Sequence, residues 1–313
     1  MINVNNRVFP LQHLISSLDK ARHKSKECCY RNCQEEPISS HTIPENYLYK
    51  LNNNLSEVLT FEPSCISRLP DNSNPRYIKN IDKEKFSTFL GFCKKHDNNL
   101  FKEIDEFNGQ INKKKAALIH YRNICYGIHH IKISSERVQY LSRQNYEGES
   151  TPESVECLKN LKNGYFENRL NSCLDEHNLR KEMLEIMIDT GNFTSMNFFS
   201  IGLGLEQPIF SGRSHYILHP EEHICLEGGY PYFPWISYMT LRTNTRNDLL
   251  FSWLEKDTNK AKYLENIIGK EIELKNLIGT LAYACSDALA MNQKLYNQNC
   301  KIINEAFKSL RAY

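Results

Sequence analysis

Cysteine and histidine residues form two close pairs of the kind that binds zinc. Cys28 and Cys33 flank four residues near the start of the chain, and Cys93 and His96 flank two residues further on. Zinc prefers four tetrahedral ligands drawn from cysteine and histidine, and proteins commonly supply them as two such pairs. We therefore predict a structural zinc site at Cys28, Cys33, Cys93 and His96. Cys29 is also suitably spaced from Cys33, and the sequence leaves the choice between Cys28 and Cys29 open.

A histidine and an aspartate beside these pairs have the residue types of a hydrolytic site. His41 lies in the segment SHTIP at positions 40–44, and Asp97 directly follows His96. An imidazole ordinarily titrates at about pH 6.5, so much of it is available as a base at neutral pH. A carboxylate is the ligand type that a hard divalent ion prefers. The alternatives are a turn histidine that bonds backbone and an acid that stabilises a helix N-terminus.

The order of these residues resembles the HNH, or ββα-metal, nuclease family. In that family a zinc knuckle precedes a His-x-x-Pro segment, and a second knuckle opens a helix. The resemblance covers residues 25–108 and implies that His41 is the general base and that Asp97 binds a catalytic Mg²⁺ or Mn²⁺. It also implies cleavage of DNA or RNA. The same segments look like a bacterial family of unknown function associated with defence loci, which implies a role in antiphage defence.

Several positions depart from the family pattern. Ser40 stands where the family usually has a second metal-binding Asp or His, and His96 stands where a cysteine is usual. The usual downstream lysine is missing, although Lys94 and Lys102 are near, and Asn80 is a candidate for the loop asparagine. A second interpretation therefore stays open, in which the chain is a non-catalytic, zinc-stabilised binding or sensor protein.

Hydrophobic periodicity and turn residues predict an α+β fold in three parts. We expect residues 1–108 to form a small zinc-centred ββα-like module and residues 109–190 a long helical hairpin. Residues 191–313 are predicted as an antiparallel sheet of five or six strands with a long helix from about residue 271 to the C-terminus. The hairpin is expected to present an apolar stripe that mediates a homodimer or binds a partner protein.

Other histidines are predicted to be structural. His120, His129 and His130 lie within the first long helix, where histidines are usually satisfied core or surface residues. His215, His219 and His223 recur at four-residue spacing, but Pro220 and the nearby glycines favour strand and turn, which would separate them.

Composition limits the class of protein. Hydrophobic residues make up 40% of the 313 residues and charged residues 24%, as in soluble globular proteins. The formal net charge is only +2, so nucleic-acid binding would need a local basic patch. No apolar run approaches the roughly eighteen residues of a membrane span, and the N-terminus lacks a signal-peptide pattern. The eleven scattered cysteines fit a reducing compartment, so we expect a cytoplasmic location.

Overall fold

The computed structural model describes residues 27–51, 56–61, 78–107, 109–143, 159–213, 236–259, 261, 270 and 288–298. Helices and antiparallel sheets are both present, which confirms the predicted α+β class. The helices are α1 (Glu45–Leu51), α2 (Lys94–Asp105), α3 (Lys113–Ser142) and α4 (Tyr165–Thr190). The strands are β1 (Ser39–His41), β2 (Glu57–Phe61), β3 (Ile78–Asp82), β4 (Thr88–Leu90), β5 (Met196–Leu203), β6 (Ile209–Arg213), β7 (Ser237–Arg242), β8 (Asn247–Leu254) and β9 (Ala288–Ala290).

A two-stranded antiparallel sheet followed by a helix forms the first part of the described chain. β1 pairs with β4 through Ser40 and Phe89, with His41 opposite Thr88. Between these strands lie α1 and the hairpin of β2 with β3, which accounts for the long sequence between His41 and Cys93. Only residues 91–93 separate β4 from α2. Two paired strands followed by a helix therefore form this part, with α1 and the β2–β3 hairpin between the two strands.

The predicted helical hairpin is formed by α3 and α4. The amide of Gln139 donates to Glu167 at 3.0 Å, and the hydroxyl of Tyr121 donates to Glu185 at 2.7 Å near the opposite ends. These two contacts show that the helices run antiparallel. α4 begins after Gly164, whose φ of 77° is left-handed, and ends before Gly191 at φ 67°. The predicted helix start near Thr151 lies outside the described residues.

A five-stranded antiparallel sheet has the order β5-β8-β7-β6-β9. Every residue of β7 and β8 is buried, and α3 packs across β5, β6, β7 and β8. Polar contacts also fix this helix to the sheet, because His120 Nδ1 lies 3.0 Å from the carbonyl of Ser252 and Asn123 donates to Ser237 at 2.5 Å. His120 is thus a core histidine, as the sequence predicts.

The C-terminal part differs from its prediction at one place. Ala288–Ala290 forms β9 and pairs with β6, so a single continuous helix from residue 271 is wrong there. Ala-Leu-Ala favours helix by local propensity, but the edge of β6 offers backbone hydrogen bonds and the sheet buries all three residues. A helical segment follows at 293–298, which confirms a C-terminal helix after the sheet. His215, His219 and His223 lie outside the described residues.

One hydrophobic core contains side chains from all three predicted parts, among them Phe92, Tyr121 and Phe251. The domain boundaries at residues 108 and 190 stay a prediction. Leu179 and Ile186 of α4 are exposed, but the predicted dimer or partner interface on the hairpin is also still a prediction. Within the described ranges, no helix is both long and apolar enough to cross a membrane.

Candidate metal centre

Cys28, Cys33, Cys93 and His96 converge on one point. Their four ligand atoms all lie within 4.8 Å of one another. The sulfur atoms of Cys33 and Cys93 are 3.9 Å apart, and His96 Nδ1 lies 3.5 Å from the Cys28 sulfur and 3.3 Å from the Cys93 sulfur. A tetrahedral zinc with bonds of about 2.3 Å to sulfur and 2.05 Å to nitrogen has edges of about 3.8 Å and 3.5 Å. The cluster therefore has the size and donor set of a tetrahedral metal site.

Two local turns build the cluster. Between Cys28 and Cys33 the chain reverses at Asn32, whose φ of 58° is left-handed, and the Cys33 amide donates to the Tyr30 carbonyl at 3.2 Å. Cys93 is the N-cap of α2, so His96 follows within the first helical turn and reaches the same point. Residue 91, which leads into Cys93, is a glycine because a Cβ there would lie 2.3 Å from the Phe89 ring.

Backbone amides point at the sulfur atoms. The Cys93 amide donates to the Cys28 sulfur at 3.2 Å, and the Tyr30 amide donates to it at 3.5 Å. Burial would raise the pKa of the Cys93 thiol, but hydrogen bonds from the His96 amide and neighbouring thiols lower it. Burial raises the pKa of Cys28 to about 12, and burial with the nearby Lys95 lowers the pKa of His96. A neutral imidazole and deprotonated thiols are the forms that bind a metal.

Cys28, and not Cys29, belongs to the cluster. The Cys29 amide donates to the Gly91 carbonyl at 2.6 Å, and the Cys29 sulfur is not one of the four ligand atoms that come together. The choice that the sequence leaves open is settled by these tertiary contacts.

The turn between the first two ligands is anchored to α4. The Tyr30 ring stacks on the His96 imidazole with centroids 4.4 Å apart, and its hydroxyl donates to Asp189. The Arg31 amide donates to Glu185 at 3.0 Å, and its guanidinium pairs with Asp189. Tyr30 thus contacts both a ligand and the hairpin, and sequence spacing alone gave no signal for that role.

His41 lies at the end of β1 and is half-buried. Its Nε2 is 3.2 Å from the carbonyl oxygen of Lys83, in the turn between β3 and β4. A carbonyl only accepts hydrogen bonds, so Nε2 carries the proton in the neutral ring and Nδ1 keeps a free lone pair. Asn80, the candidate from the family pattern, lies in β3 opposite Leu59. The group that orients His41 is therefore a backbone carbonyl, which leaves no signature in the sequence.

Asp97 lies on the first turn of α2 and faces the interior. Burial raises the pKa of its carboxyl, while the Arg122 guanidinium, a hydrogen bond from Ser40 and the nearby His41 act to lower it. Its Oδ1 is buried and has no hydrogen-bond partner among the described residues. Ser40 is fully buried and also accepts from the Phe92 amide at 3.2 Å. Ser40 therefore lies beside Phe92, just before the first turn of α2, and acts on the pKa of Asp97.

Arg122 was not singled out by the sequence, although it lies behind Asp97. It is buried on α3, pairs with Asp105 at 2.9 Å and lies over the Phe101 ring at 3.9 Å. Asp97, Phe101 and Asp105 follow one another at four-residue spacing along α2, so all three face Arg122.

Comparison with protein-family models, with curated proteins and with solved structures finds no match for the chain.

Proposed function

We propose that this protein is a zinc-stabilised, metal-dependent nuclease whose active site lies between β1 and the first turn of α2. One observation carries the proposal: β1, which holds Ser40 and His41, lies beside the residues that open α2, where the Phe92 amide donates to Ser40 at 3.2 Å, on a ββα module whose base holds the Cys28, Cys33, Cys93 and His96 cluster. Zinc is the assigned ion at that cluster because three thiolates and one imidazole are a zinc donor set. A role in antiphage defence rests on the family resemblance alone.

His41 is the proposed general base. The hydrogen bond to the Lys83 carbonyl holds the ring and leaves Nδ1 free to take a proton from water. Because the ring is half-buried at a strand end, it is fixed and still reached by solvent. These are the properties that a positioned base requires.

Asp97 is the proposed ligand for a catalytic Mg²⁺ or Mn²⁺. The fit is partial: its buried Oδ1 lacks a partner, which a cation would supply, but the facing residue is the neutral Ser40. Such an ion, when bound, stabilises the negative charge on the phosphate and the leaving oxygen. Hard cations take oxygen ligands, which both of these residues offer.

An exposed lysine face on α2 supports a polyanionic substrate. Lys94, Lys95 and Lys102 are exposed, and none of them forms an ion pair with another described residue. Asp97 is the only carboxylate between Lys94 and Lys102, and it faces inward. These lysines would contribute local positive charge that the overall charge of +2 does not, next to the exposed Glu103 and Glu106. Lysines of this kind place a nucleic-acid backbone without reading its sequence.

The test is cleavage of DNA and RNA by purified wild type and by His41→Ala, each with Mg²⁺ or Mn²⁺. Removing a positioned base should lower the rate roughly 10²–10⁴-fold. Zinc content should be unchanged, because His41 is not a ligand of the cluster, and the lost hydrogen bond to Lys83 should lower stability by only about 1 kcal/mol. His130→Ala, at an exposed histidine of α3, is the matched control and should cleave as wild type does. If wild type cleaves neither polymer, or if His41→Ala retains full activity, the nuclease proposal is wrong.

The alternative is a non-catalytic zinc-stabilised binding protein, and Arg122 is the observation that favours it. Its guanidinium already places a positive charge near Asp97, and Ser40 adds no negative charge for a second ion. In that case the exposed lysines of α2 would bind nucleic acid, and His41 and Asp97 would not cleave it. Binding of DNA or RNA without cleavage, weakened by Lys94→Gln, Lys95→Gln and Lys102→Gln together and by added salt, would support it.

A further inference from the structure

We propose that two copies of this chain associate through the outer edge of β5, so that their two five-stranded sheets join into one antiparallel sheet of ten strands. The occupant of this edge is thus a second copy of the same chain. The surface is distinct from the exposed face of the α3–α4 hairpin, and the proposal does not depend on nuclease activity.

β5 is an open edge of the five-stranded sheet. Its eight residues pair with β8 on one side, and no described residue pairs with the other side. At the opposite edge of the sheet, the residue that follows β9 already pairs with β2, because Leu59 and Met291 exchange two backbone hydrogen bonds of 2.9 Å. Among the described strands of this sheet, the edge that can accept another strand is therefore β5.

The alternation of hydrogen bonds shows which backbone groups of β5 point outward. Ser195 lies opposite Glu255 when the register of β5 and β8 is continued by one residue, and the Glu255 amide donates to the Ser195 carbonyl at 2.8 Å. Every second residue of an antiparallel strand bonds the same neighbour, so the odd-numbered residues of β5 bond β8. The backbone groups of Phe198, Ser200 and Gly202 therefore point away from β8, and Ser200 and Gly202 are also exposed.

The sequence of β5 lacks the features that usually protect an edge strand. Soluble proteins commonly place charged residues, prolines or bulges on such an edge. The strand MNFFSIGL has no charged residue and no proline, and its register with β8 is continuous, without a bulge. Its side chains Phe198, Phe199, Ile201 and Leu203 are only partly buried against the core. Two such strands can pair without repulsion between like charges, which favours a second copy as the occupant.

The outward groups define one self-complementary register. A two-fold axis at Ser200 places Ser200 opposite its own equivalent and Phe198 opposite Gly202 of the second copy, and each directly opposed pair of this kind exchanges two hydrogen bonds. The Phe198 ring then lies beside a position that has no side chain. Phe199 lies opposite Ile201 of the second copy, an aromatic and β-branched pair of the type that stabilises sheets. Because the same patch faces itself, the contact closes at two copies.

Light scattering coupled to size-exclusion chromatography of the full-length protein, over a range of concentrations, is the first test. We expect a species of twice the 36.6 kDa of one chain. Ser200→Lys places two positive charges opposite each other at the axis, so this variant should have the mass of a monomer. Its circular dichroism should match wild type, because the exposed position 200 makes no hydrogen bond to β8. Ile186→Lys, at an exposed position of the hairpin, is the matched control and should stay dimeric.

A disulfide between the two copies tests the register. The Cα atoms of a directly opposed, hydrogen-bonded pair are about 5.5 Å apart, which a disulfide can span. In Ser200→Cys, oxidation by diamide, which takes up the two thiol hydrogens, should therefore join the copies at this position. Trypsin cleavage after Lys181 and Arg213 releases peptide 182–213, which contains no native cysteine, so mass spectrometry without reduction should find this peptide joined to itself. Ile186→Cys, within the same peptide, is the control and should give no joined peptide.

The results also separate this edge from other ways of forming a dimer. A dimer that persists in Ser200→Lys, or that separates in Ile186→Lys, would overturn the proposal in favour of another surface. A wild type that is monomeric at every concentration, or a Ser200→Cys variant that yields no joined peptide, would overturn it as well. If Ser200→Lys does not fold, the disulfide between Ser200→Cys copies decides.

Discussion

Replacing Cys93 with serine should remove the metal and lower the melting temperature of the protein. The Cys93 sulfur is 3.9 Å from the Cys33 sulfur and 3.3 Å from His96 Nδ1, so it faces two of the other three ligands. Serine has no thiolate to offer, and three remaining ligands leave the tetrahedral site open. The folded state then loses the stabilisation that metal binding supplies.

The expected decrease in melting temperature follows from the thermodynamic linkage between zinc binding and folding. Free zinc at about 1,000 times its dissociation constant stabilises the folded state by about 4 kcal/mol. Unfolding entropy is about 2.1 cal/mol/K per residue, which for 313 residues gives about 0.66 kcal/mol/K. Dividing the stabilisation by zinc by the unfolding entropy predicts a decrease of about 6 °C in melting temperature. The continuous core that joins the module to the sheet makes one cooperative transition the expected behaviour.

Differential scanning calorimetry with elemental analysis of the same samples checks this prediction. Wild type should contain about one zinc per chain, and Cys93→Ser should contain none. The buried serine hydroxyl has its own cost, so chelation of wild type isolates the contribution of the metal. Cys173→Ser is the control for loss of a thiol outside the cluster. Hydrogen exchange should rise more in α2 and β1 than in the buried strands β7 and β8. A wild type that is folded, free of metal and indifferent to the chelator would refute the reasoning.

Two further predictions concern buried charge. Burial lowers the pKa of His120 to about 3, whereas the unfolded chain takes up the proton at about pH 6.5, so stability should fall by about 1.4 kcal/mol per pH unit as pH drops below that value. His120→Asn keeps a donor for the Ser252 carbonyl, and urea unfolding at several pH values should show a smaller slope. Asp257→Asn should cost roughly 3–5 kcal/mol, because it leaves Arg180, only 2% exposed, without its buried partner. Glu176→Gln, which removes the more exposed partner of the same arginine, should cost about 1 kcal/mol or less by urea unfolding, and equal costs would contradict the assignment.

Local spacing predicted the parts of the site that short segments build. Cys93 and His96 lie within one helical turn, so their approach follows from the sequence once a helix starts there. The same reasoning could not choose between Cys28 and Cys29, because the choice depends on which sulfur the fold brings to Cys93 and His96, far along the chain. The role of Arg122 could not be predicted for the same reason, since a single arginine in a long helix gives no local signal of its distant partners.

Contacts with backbone groups were the hardest to predict from the sequence. His41 is oriented by the carbonyl of Lys83, and every residue type has such a carbonyl. β9 could not be predicted, because the local propensity of Ala-Leu-Ala favours helix. Its strand conformation depends on pairing with the edge of β6, which lies far away in the sequence. The helical hairpin and the strands β5 to β8 were predicted because each has its own periodicity and turn residues.

The two proposed metal sites differ in chemistry, and this separates their consequences. The Cys28, Cys33, Cys93 and His96 cluster offers soft ligands and has all four of them, so it could hold a metal such as zinc without any contribution from His41 or Asp97. The position at Asp97 offers one carboxylate, faces the neutral Ser40 and shares its surroundings with the cation of Arg122. A hard divalent ion held by so little negative charge binds weakly, and it keeps several water molecules. Fold and catalysis should therefore depend on metal over very different concentration ranges, so zinc content by itself is no measure of nuclease activity.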